Sequence, residues 1–232
     1  LAPGSVDAIL TDLPYGTTAC SWDEVIPFVP MWEAFKRVLK PERVIVLTAS
    51  QPFTTKLIAS NINLFRYEWI WAKTNGGGFL NANRQPLKRH ENVLIFYERT
   101  PFYAPQMVKG KPYRTRSASA GETTQDQTVA GWVTDNDGSR FPTTILDFSR
   151  QTGLHPTQKP TELFRYLIRT YTLPGEIVLD PCVGSGTTAI AAREEDRRFI
   201  VGDSSTEYVQ VARDRLAAPF TPSFMPMLEN AS

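Results

Sequence analysis

Two short segments of the chain carry residue types that could do chemistry. Asp12-Leu13-Pro14-Tyr15 sets a carboxylate, a rigid turn and an aromatic ring side by side. A carboxylate accepts N–H hydrogens on either oxygen, and a tyrosine ring offers a flat face on which another ring can stack. Far along the chain, Asp180-Pro181-Cys182-Val183-Gly184-Ser185-Gly186 reads as a glycine-bearing turn that opens a helix. Small residues there let the backbone approach a ligand closely, and the free N–H groups of the helix N-terminus point at it. Asp203 follows about 20 residues on, where an acid hydrogen-bonds the two hydroxyls of an adenosine ribose. Gly-x-Gly alone is shared with nicotinamide-binding folds and with plain tight turns, and the absence of Lys after Gly186 argues against a nucleoside-triphosphate loop. With Asp203 it predicts a nucleoside-containing cofactor without naming it. The bland alternatives are a strand-end cap for Asp12 and a buried ring for Tyr15.

Each segment must be positioned by the element before it. Val6 to Leu10 and Ile177 to Leu179 are apolar runs that read as buried parallel strands. In open α/β sheets, ligands sit at the carboxyl ends of strands, so both segments fall on that edge. Between them the pattern predicts a helix over Val29 to Leu39 ended by Pro41, a strand over Val44 to Thr48, and a helix over Pro52 to Ser60 opened by Ser50. Tyr67 to Lys73 alternates like a strand, and Asn92 to Tyr97 is another. Asn75 to Gly78 and Asn81 to Arg89 predict a long polar loop of the mobile kind. From Thr100 to Gly153 periodicity dissolves into Pro, Gly, Ser, Thr and Gln, an insertion long enough to be functional or disordered. Order returns with helices over Thr161 to Tyr171, Thr187 to Glu195 and Glu207 to Leu216, and strands over Glu176 to Leu179 and Phe199 to Val201. Strands alternating with helices on both sides of the insertion predict an α/β fold with a doubly wound sheet. The tail from Pro219 is not expected to join it.

At 232 residues and 41% hydrophobic content, the chain can bury one substantial core with a smaller appendage. No run approaches the roughly 18 consecutive apolar residues of a membrane span, and no signal-peptide pattern opens the chain. Leu1 in first place, with Gly4-Ser5 just ahead of a strand, predicts a fragment lacking its natural N-terminus and a preceding strand. Cys20 and Cys182 make no disulfide framework, which fits a reducing cytoplasm, and His90 and His155 are too few for a zinc site of common spacing. The net charge of +1 hides an uneven distribution. Arg66 to Arg116 holds ten basic residues against three acidic ones, a balance of +7 against −6 for the rest. Solvated surface explains some such stretches. Interleaving with Trp71, Phe79, Phe96, Tyr97, Tyr103 and Tyr113 favours a nucleic acid as the polyanion that would use this one.

Asp12 to Tyr15 resembles the Asp/Asn-Pro-Pro-Tyr motif of the amino-group DNA methyltransferases that use S-adenosylmethionine. Asp180 to Gly186 resembles that family's cofactor loop, and His155-Pro156-Thr157-Gln158-Lys159-Pro160 its third typical segment. The order is catalytic motif, insertion, third segment, cofactor loop, which is the permuted order of the β group. The resemblance covers most of the chain outside Thr100 to Arg140. Leu13 stands where the family usually has Pro, which leaves the turn and its carbonyl but softens the rigidity.

The resemblance implies a Rossmann-like, mostly parallel class I methyltransferase fold with permuted motif order. Its implied parts are a catalytic half over 1–99, an irregular target-recognition insertion over 100–153, a cofactor-binding half over 154–218 and a tail over 219–232. The implied reaction moves a methyl group from S-adenosylmethionine to the exocyclic N6 amine of adenine in a flipped-out base of double-stranded DNA. Asp at the head of the motif favours adenine, since cytosine-N4 enzymes of the family usually begin it with Ser. An exocyclic amine is a poor nucleophile because its lone pair is delocalised into the ring. Asp12 and the carbonyl of Leu13 or Pro14 would accept its two hydrogens and stabilise the positive charge that develops on nitrogen. Tyr15 would stack on the extruded base. The implied cofactor residues are Asp180, Pro181, Cys182, Gly184, Gly186, Asp203, Thr157 and Lys159, with Lys159 able to neutralise a carboxylate. Arg84, Lys88, Arg89, Lys109, Lys111, Arg114 and Arg116 would contact DNA phosphates or base edges. Neither a metal nor a covalent intermediate is needed, and the implied setting is prokaryotic or phage cytoplasm beside a cognate restriction endonuclease, as monomer or homodimer.

Competing readings use fewer of these residues. Pro181-Cys182 and Glu91-Asn92-Val93 resemble two motifs of cytosine carbon-5 methyltransferases, but their order and context are wrong, so Cys182 reads as loop packing. His155 and Lys159 also read as the polar approach to the helix at Thr161, with Pro160 at its first turn. Cytosine N4, protein glutamine or RNA could replace adenine as acceptor, and the order of motifs disfavours glutamine. A catalytically silent DNA-binding module would leave Asp12, Tyr15, Gly184, Gly186 and Asp203 unexplained. A nicotinamide reductase would rest on the glycine loop alone.

Overall fold

A computed structural model describes residues 1–18, 20, 23–116, 121–122, 127–128, 131–151 and 158–219. In chain order its strands are β1 (Val6–Asp12), β2 (Leu39–Ala49), β3 (Phe65–Gly77), β4 (Lys88–Phe96), β5 (Val108–Lys109), β6 (Tyr113–Arg116), β7 (Gly121–Glu122), β8 (Gln127–Thr128), β9 (Val133–Asn136), β10 (Ser139–Arg140), β11 (Ile145–Asp147), β12 (Ile177–Asp180) and β13 (Arg198–Val201). Its helices are α1 (Phe28–Val38), α2 (Phe53–Ser60), α3 (Thr161–Tyr171), α4 (Thr187–Glu194) and α5 (Thr206–Ala217). Among the described residues the chain divides into two compact units, one of Leu1–Ala104 with 143–219, the other of Pro105–Pro142.

The larger unit is built on a seven-stranded sheet of order β11-β3-β4-β2-β1-β12-β13. All neighbours run parallel except around β4, which is antiparallel to both β2 and β3. β1, the far half of β2 and β12 are near-continuous apolar runs because helices cover both faces of a largely parallel sheet. On one face, Met31, Trp32, Phe35 and Val38 of α1 and Phe53 and Leu57 of α2 pack over Ile9, Ile45, Leu47 and Leu94. On the other, Leu163, Phe164, Leu167, Ile168 and Tyr171 of α3 and Ala191 and Ala192 of α4 cover Ala8, Val46, Trp69, Trp71 and Val178. Each such large side chain contributes about 1.5–3 kcal/mol on burial. These are the layers of a doubly wound α/β fold. No helix among the described residues is long and apolar enough to cross a membrane.

Several elements differ from their sequence reading. Pro41 does not terminate a helix; α1 stops at Val38 and Pro41 lies inside β2, where pairing with β1 jumps from Val6–Leu39 to Ala8–Val44. A register break tolerates a residue that cannot donate a ladder hydrogen bond. Ser50 opens α2 with its carbonyl, which accepts from the Thr54 N–H, not with its hydroxyl. The long polar loop over 75–89 is mostly hairpin: β3 runs to Gly77, a 3₁₀ turn spans Phe79–Asn81, and β4 begins at Lys88. Ile145–Asp147, inside the stretch read as insertion, is an edge strand of the main sheet beside β3. In the smaller unit, β5 pairs with β10, β6 with β9 and β7 with β8, all antiparallel. Ribbons of two to four residues with mostly exposed side chains leave no alternation to read.

Candidate active site

The strand order reverses at β1, which has β2 on one side and β12 on the other. Such a switch point opens a crevice at the carboxyl ends of the strands. Asp12 ends β1, Asp180 ends β12, Asp203 follows β13, and Thr48 and Ser50 stand at the end of β2. β4 runs the other way, so its beginning, with Lys88 and Glu91, arrives at the same edge. A cavity of about 770 Å³ opens there in the larger unit. Its lining brings together Asp12, Leu13, Pro14 and Tyr15 with Asp180, Pro181, Cys182, Gly184, Asp203 and Lys159.

Asp12 is held on both oxygens. Tyr15 donates its hydroxyl to Oδ1 at 2.7 Å, Thr48 donates to the same oxygen, and Lys159 Nζ donates to Oδ2 at 2.7 Å. The carboxylate remains 24% exposed and has lone pairs to spare for a ligand's N–H. One face of the Tyr15 ring stacks on Phe53 at 5.2 Å between centroids, and Lys159 Nζ lies 5.4 Å from the ring centre. Burial, with the charges of Asp12 and Glu91, holds the Tyr15 proton well above its ordinary range. Leu13 is buried in the same cluster as Phe53, so the side chain that replaces the family's usual Pro packs into the core.

The turn after Tyr15 depends on Asp23. Its carboxylate accepts from the N–H groups of Gly16, Thr17 and Thr18 at 2.8, 2.9 and 2.7 Å. Burial alone would raise the Asp23 pKa; these donors outweigh it and hold the group below its usual value. Gly16 has φ +66, and a Cβ there would lie 2.8 Å from Val25 Cγ2, so the turn requires glycine.

Behind Asp12 lies a buried chain of alternating charge. Lys159, 6% exposed, stands 3.2 Å from Glu91 Oε2, and Glu91 Oε1 accepts from Lys73. Burial opposes the charge on Glu91, but Lys159 and Lys73 outweigh it and lower its pKa; Asp12 and Glu91 likewise outweigh burial and raise that of Lys159. Lys159 therefore meets Asp12 and Glu91. The sequence alone sets Glu91 aside, counts Lys73 only within the basic stretch, and gives Thr48 and Asp23 no role. Strand pairing decides their arrival at the site, and no spacing in the sequence signals it.

On the other rim, the Asp180 carboxyl is buried and accepts from Thr11 at 2.6 Å, from the Cys182 N–H at 3.0 Å and from Thr188. It anchors the glycine loop to β1 and α4. Asp203 accepts from the Gly184 N–H and the Ser205 N–H, both at 2.9 Å, and lines the cavity. Gly186 lies at the start of α4, outside the lining, with φ +85; a Cβ there would come 3.1 Å from Ala212 of α5. Burial and the charges of Asp180 and Asp203 push the Cys182 thiol up to about 12, so it stays neutral and cannot serve as a thiolate nucleophile. Thr157, with His155, lies outside the described residues.

The basic residues divide between the two units. Lys88 lines the cavity and donates to Ser50. Arg84 lies beyond the 3₁₀ turn, and Arg89 donates to the Lys73 carbonyl. Lys109, Lys111, Arg114 and Arg116 belong to the smaller unit, where all four are exposed, Arg114 and Arg116 two residues apart on β6. Among the described residues, no group of three or more His, Cys, Asp or Glu side chains could hold a metal ion.

A family model for N6/N4 methyltransferases, described as DNA methylase, matches residues 6–214. The type II methyltransferase M.HindIII of Haemophilus influenzae is 33% identical over 286 residues, covering 93% of this chain and 90% of that one. M.HpaI of Haemophilus parainfluenzae is 29% identical over 237 residues, covering 95% of this chain and 71% of its own length. Among solved structures, the M1.HpyAVI–SAM complex aligns with a TM-score of 0.61 at 24% identity, covering 91% of this chain and 89% of that one, a likeness of fold.

Proposed function

The chain belongs to the N6/N4 DNA methylase family, and on that premise we propose that it transfers a methyl group from S-adenosylmethionine to the N6 amine of adenine in duplex DNA. The single observation that carries this reading is the shared cavity: Asp12 and Tyr15 on one rim, Gly184 and Asp203 on the other. Its volume of about 770 Å³ suits a cofactor-sized ligand. S-adenosylmethionine fits the donor set, with Gly184 and Ser185 as a cradle of small residues, the start of α4 behind them, and Asp203 as the acceptor for ribose hydroxyls. When bound, it supplies an electrophilic methyl group on a positively charged sulfur.

The chain's own residues would do the rest. Asp12, oriented by Tyr15, Thr48 and Lys159, accepts an amine hydrogen and offsets the positive charge that grows on nitrogen. Fixed acceptors of this kind lower the barrier because they need no reorganisation during reaction. The Tyr15 ring, beside Asp12 in the cavity lining, would contact the extruded base, since the target atom is out of reach inside a duplex. We assign target recognition to the unit Pro105–Pro142, whose Lys109, Lys111, Arg114 and Arg116 suit phosphates and base edges. Arg84, Lys88 and Arg89 would act from the β3–β4 hairpin of the larger unit. A restriction endonuclease that cuts the same sequence is the natural partner of such an activity.

The test is methyl transfer from tritiated S-adenosylmethionine to duplex DNA, followed by nucleoside analysis. The expected product is N6-methyladenine; N4-methylcytosine would overturn the base assignment, and label confined to protein or RNA would overturn the substrate. Asp12→Ala should lower turnover by about 10²–10³-fold or more while cofactor binding survives. Unchanged turnover would remove Asp12 from the chemistry.

A further inference from the structure

The charges behind Asp12 have a use beyond folding, provided the amine-methylation reading holds. We propose that Glu91, acting through Lys159, sets how strongly Asp12 accepts the proton of the target amine, and is therefore a positioning residue for methyl transfer. The ammonium of Lys159 lies 2.7 Å from Asp12 Oδ2 and 3.2 Å from Glu91 Oε2, and Glu91 Oε1 is paired with Lys73. Glu91 Oε2 is buried, and the Lys159 ammonium at 3.2 Å is its ion-pair partner.

A cation this close to Asp12 orients the carboxylate but also draws charge from it and makes it a weaker acceptor. A second carboxylate on the same cation offsets that pull without releasing the orientation. The offset matters when the nitrogen attacks. As the carbon–nitrogen bond forms and the methyl–sulfur bond breaks, the electron pair stays on sulfur and nitrogen becomes positive. The surplus N–H proton passes to Asp12 and from there to water. Glu91 touches none of the reacting atoms; it tunes the group that does.

Other ionisable groups facing the chain are Tyr15 after β1, Lys88 at the start of β4, Asp180 and Cys182 at the end of β12, and Arg150 on the Lys73 side. Tyr15 and Cys182 keep their protons through the neutral range, because burial raises both. Asp180, held up to about 6 by its burial, titrates in the parent and the variants alike.

Glu91→Gln tests the proposal in the full chain. Expected is a fall in kcat of about tenfold or more, with KM for DNA and for S-adenosylmethionine changed less than about threefold. The acid limb of the pH–rate profile should move to lower pH, because the whole charge of Lys159 then bears on Asp12. Cofactor affinity without DNA, read by calorimetry, should stay within about threefold, and Glu91→Asp should restore most of kcat and the profile. Unchanged kcat and profile would overturn the proposal. So would a loss of kcat with an unmoved acid limb that Asp does not rescue, the mark of a packing role. Should the Gln variant fold poorly, Lys73→Met frees Glu91 to serve Lys159 alone and should move the acid limb to higher pH; an unmoved limb is again fatal. A parent protein that methylates no DNA would instead defeat the underlying functional reading.

Discussion

Replacing Asp180 by Asn should change how stability depends on pH, and the size of the change can be worked out. The carboxyl is 2% exposed, and burial, with some repulsion from Asp12, raises its pKa from 3.8 to about 6 against the pull of Thr11, Thr188 and the Cys182 N–H. A proton held more tightly in the fold than in the unfolded chain stabilises the fold while it is bound. That contribution is complete below about pH 4 and is lost as the pH rises through about 6. Roughly two pH units separate the two states, so the loss is about 3 kcal/mol between pH 4 and pH 7.5. Asn keeps the shape and carries no charge at any pH, at a cost of about 1 kcal/mol for donors that now face its NH₂ group. The variant should be less stable than the parent by about 1 kcal/mol at pH 4 and more stable by about 2 kcal/mol at pH 7.5. Urea unfolding of both proteins across this range measures the difference directly. If the two stability curves stay parallel within about 0.5 kcal/mol, Asp180 does not bind its proton more tightly in the fold and the reasoning fails.

Substitutions at three further positions probe the site and its support. Asp203→Ala removes the acceptor that holds the Gly184 and Ser205 N–H groups, and calorimetry should show S-adenosylmethionine affinity reduced about 10- to 100-fold; loss of activity with undiminished affinity would contradict its role. Tyr15→Phe keeps the ring on Phe53 but deletes the hydroxyl that orients Asp12. Turnover should fall about tenfold, whereas Tyr15→Ala should fall much further, and equal losses would mean that the ring itself does nothing. Gly186→Ala forces a side chain to φ +85 and a Cβ to 3.1 Å from Ala212. It should cost about 1–3 kcal/mol in urea unfolding, and an unchanged midpoint would show that the α4–α5 contact yields freely.

The local sequence determined both jaws of the crevice and the layers behind them. Apolar runs such as Val6 to Leu10 and Ile177 to Leu179, too short for helices and set between turn signals, read as strands buried on both faces, and a polar segment that follows one emerges at its carboxyl end. Asp12 and the Asp180 to Gly186 loop could therefore be placed at one edge of a doubly wound sheet without coordinates, and the cavity that they share bears this out. The outer ends of the β3–β4 hairpin, Thr74 to Gly77 and Lys88 to His90, and the short ribbons of Pro105–Pro142 escaped this logic, because their residues are largely polar or glycine, lie largely at the surface and leave no periodic trace.

Tertiary structure alone decided what surrounds Asp12. Thr48, Lys159, Glu91 and Lys73 come from four separate stretches, and none lies at a spacing that marks it as a neighbour. The reversal of β4 against β2 and β3 carries Glu91 to the edge where β1 ends. Burial there makes an unpaired charge too costly to keep, so each charge in the chain has acquired an opposite partner. Charges recruit partners across space, whereas hydrophobic periodicity is written along the chain; only the second can be read before the chain has folded.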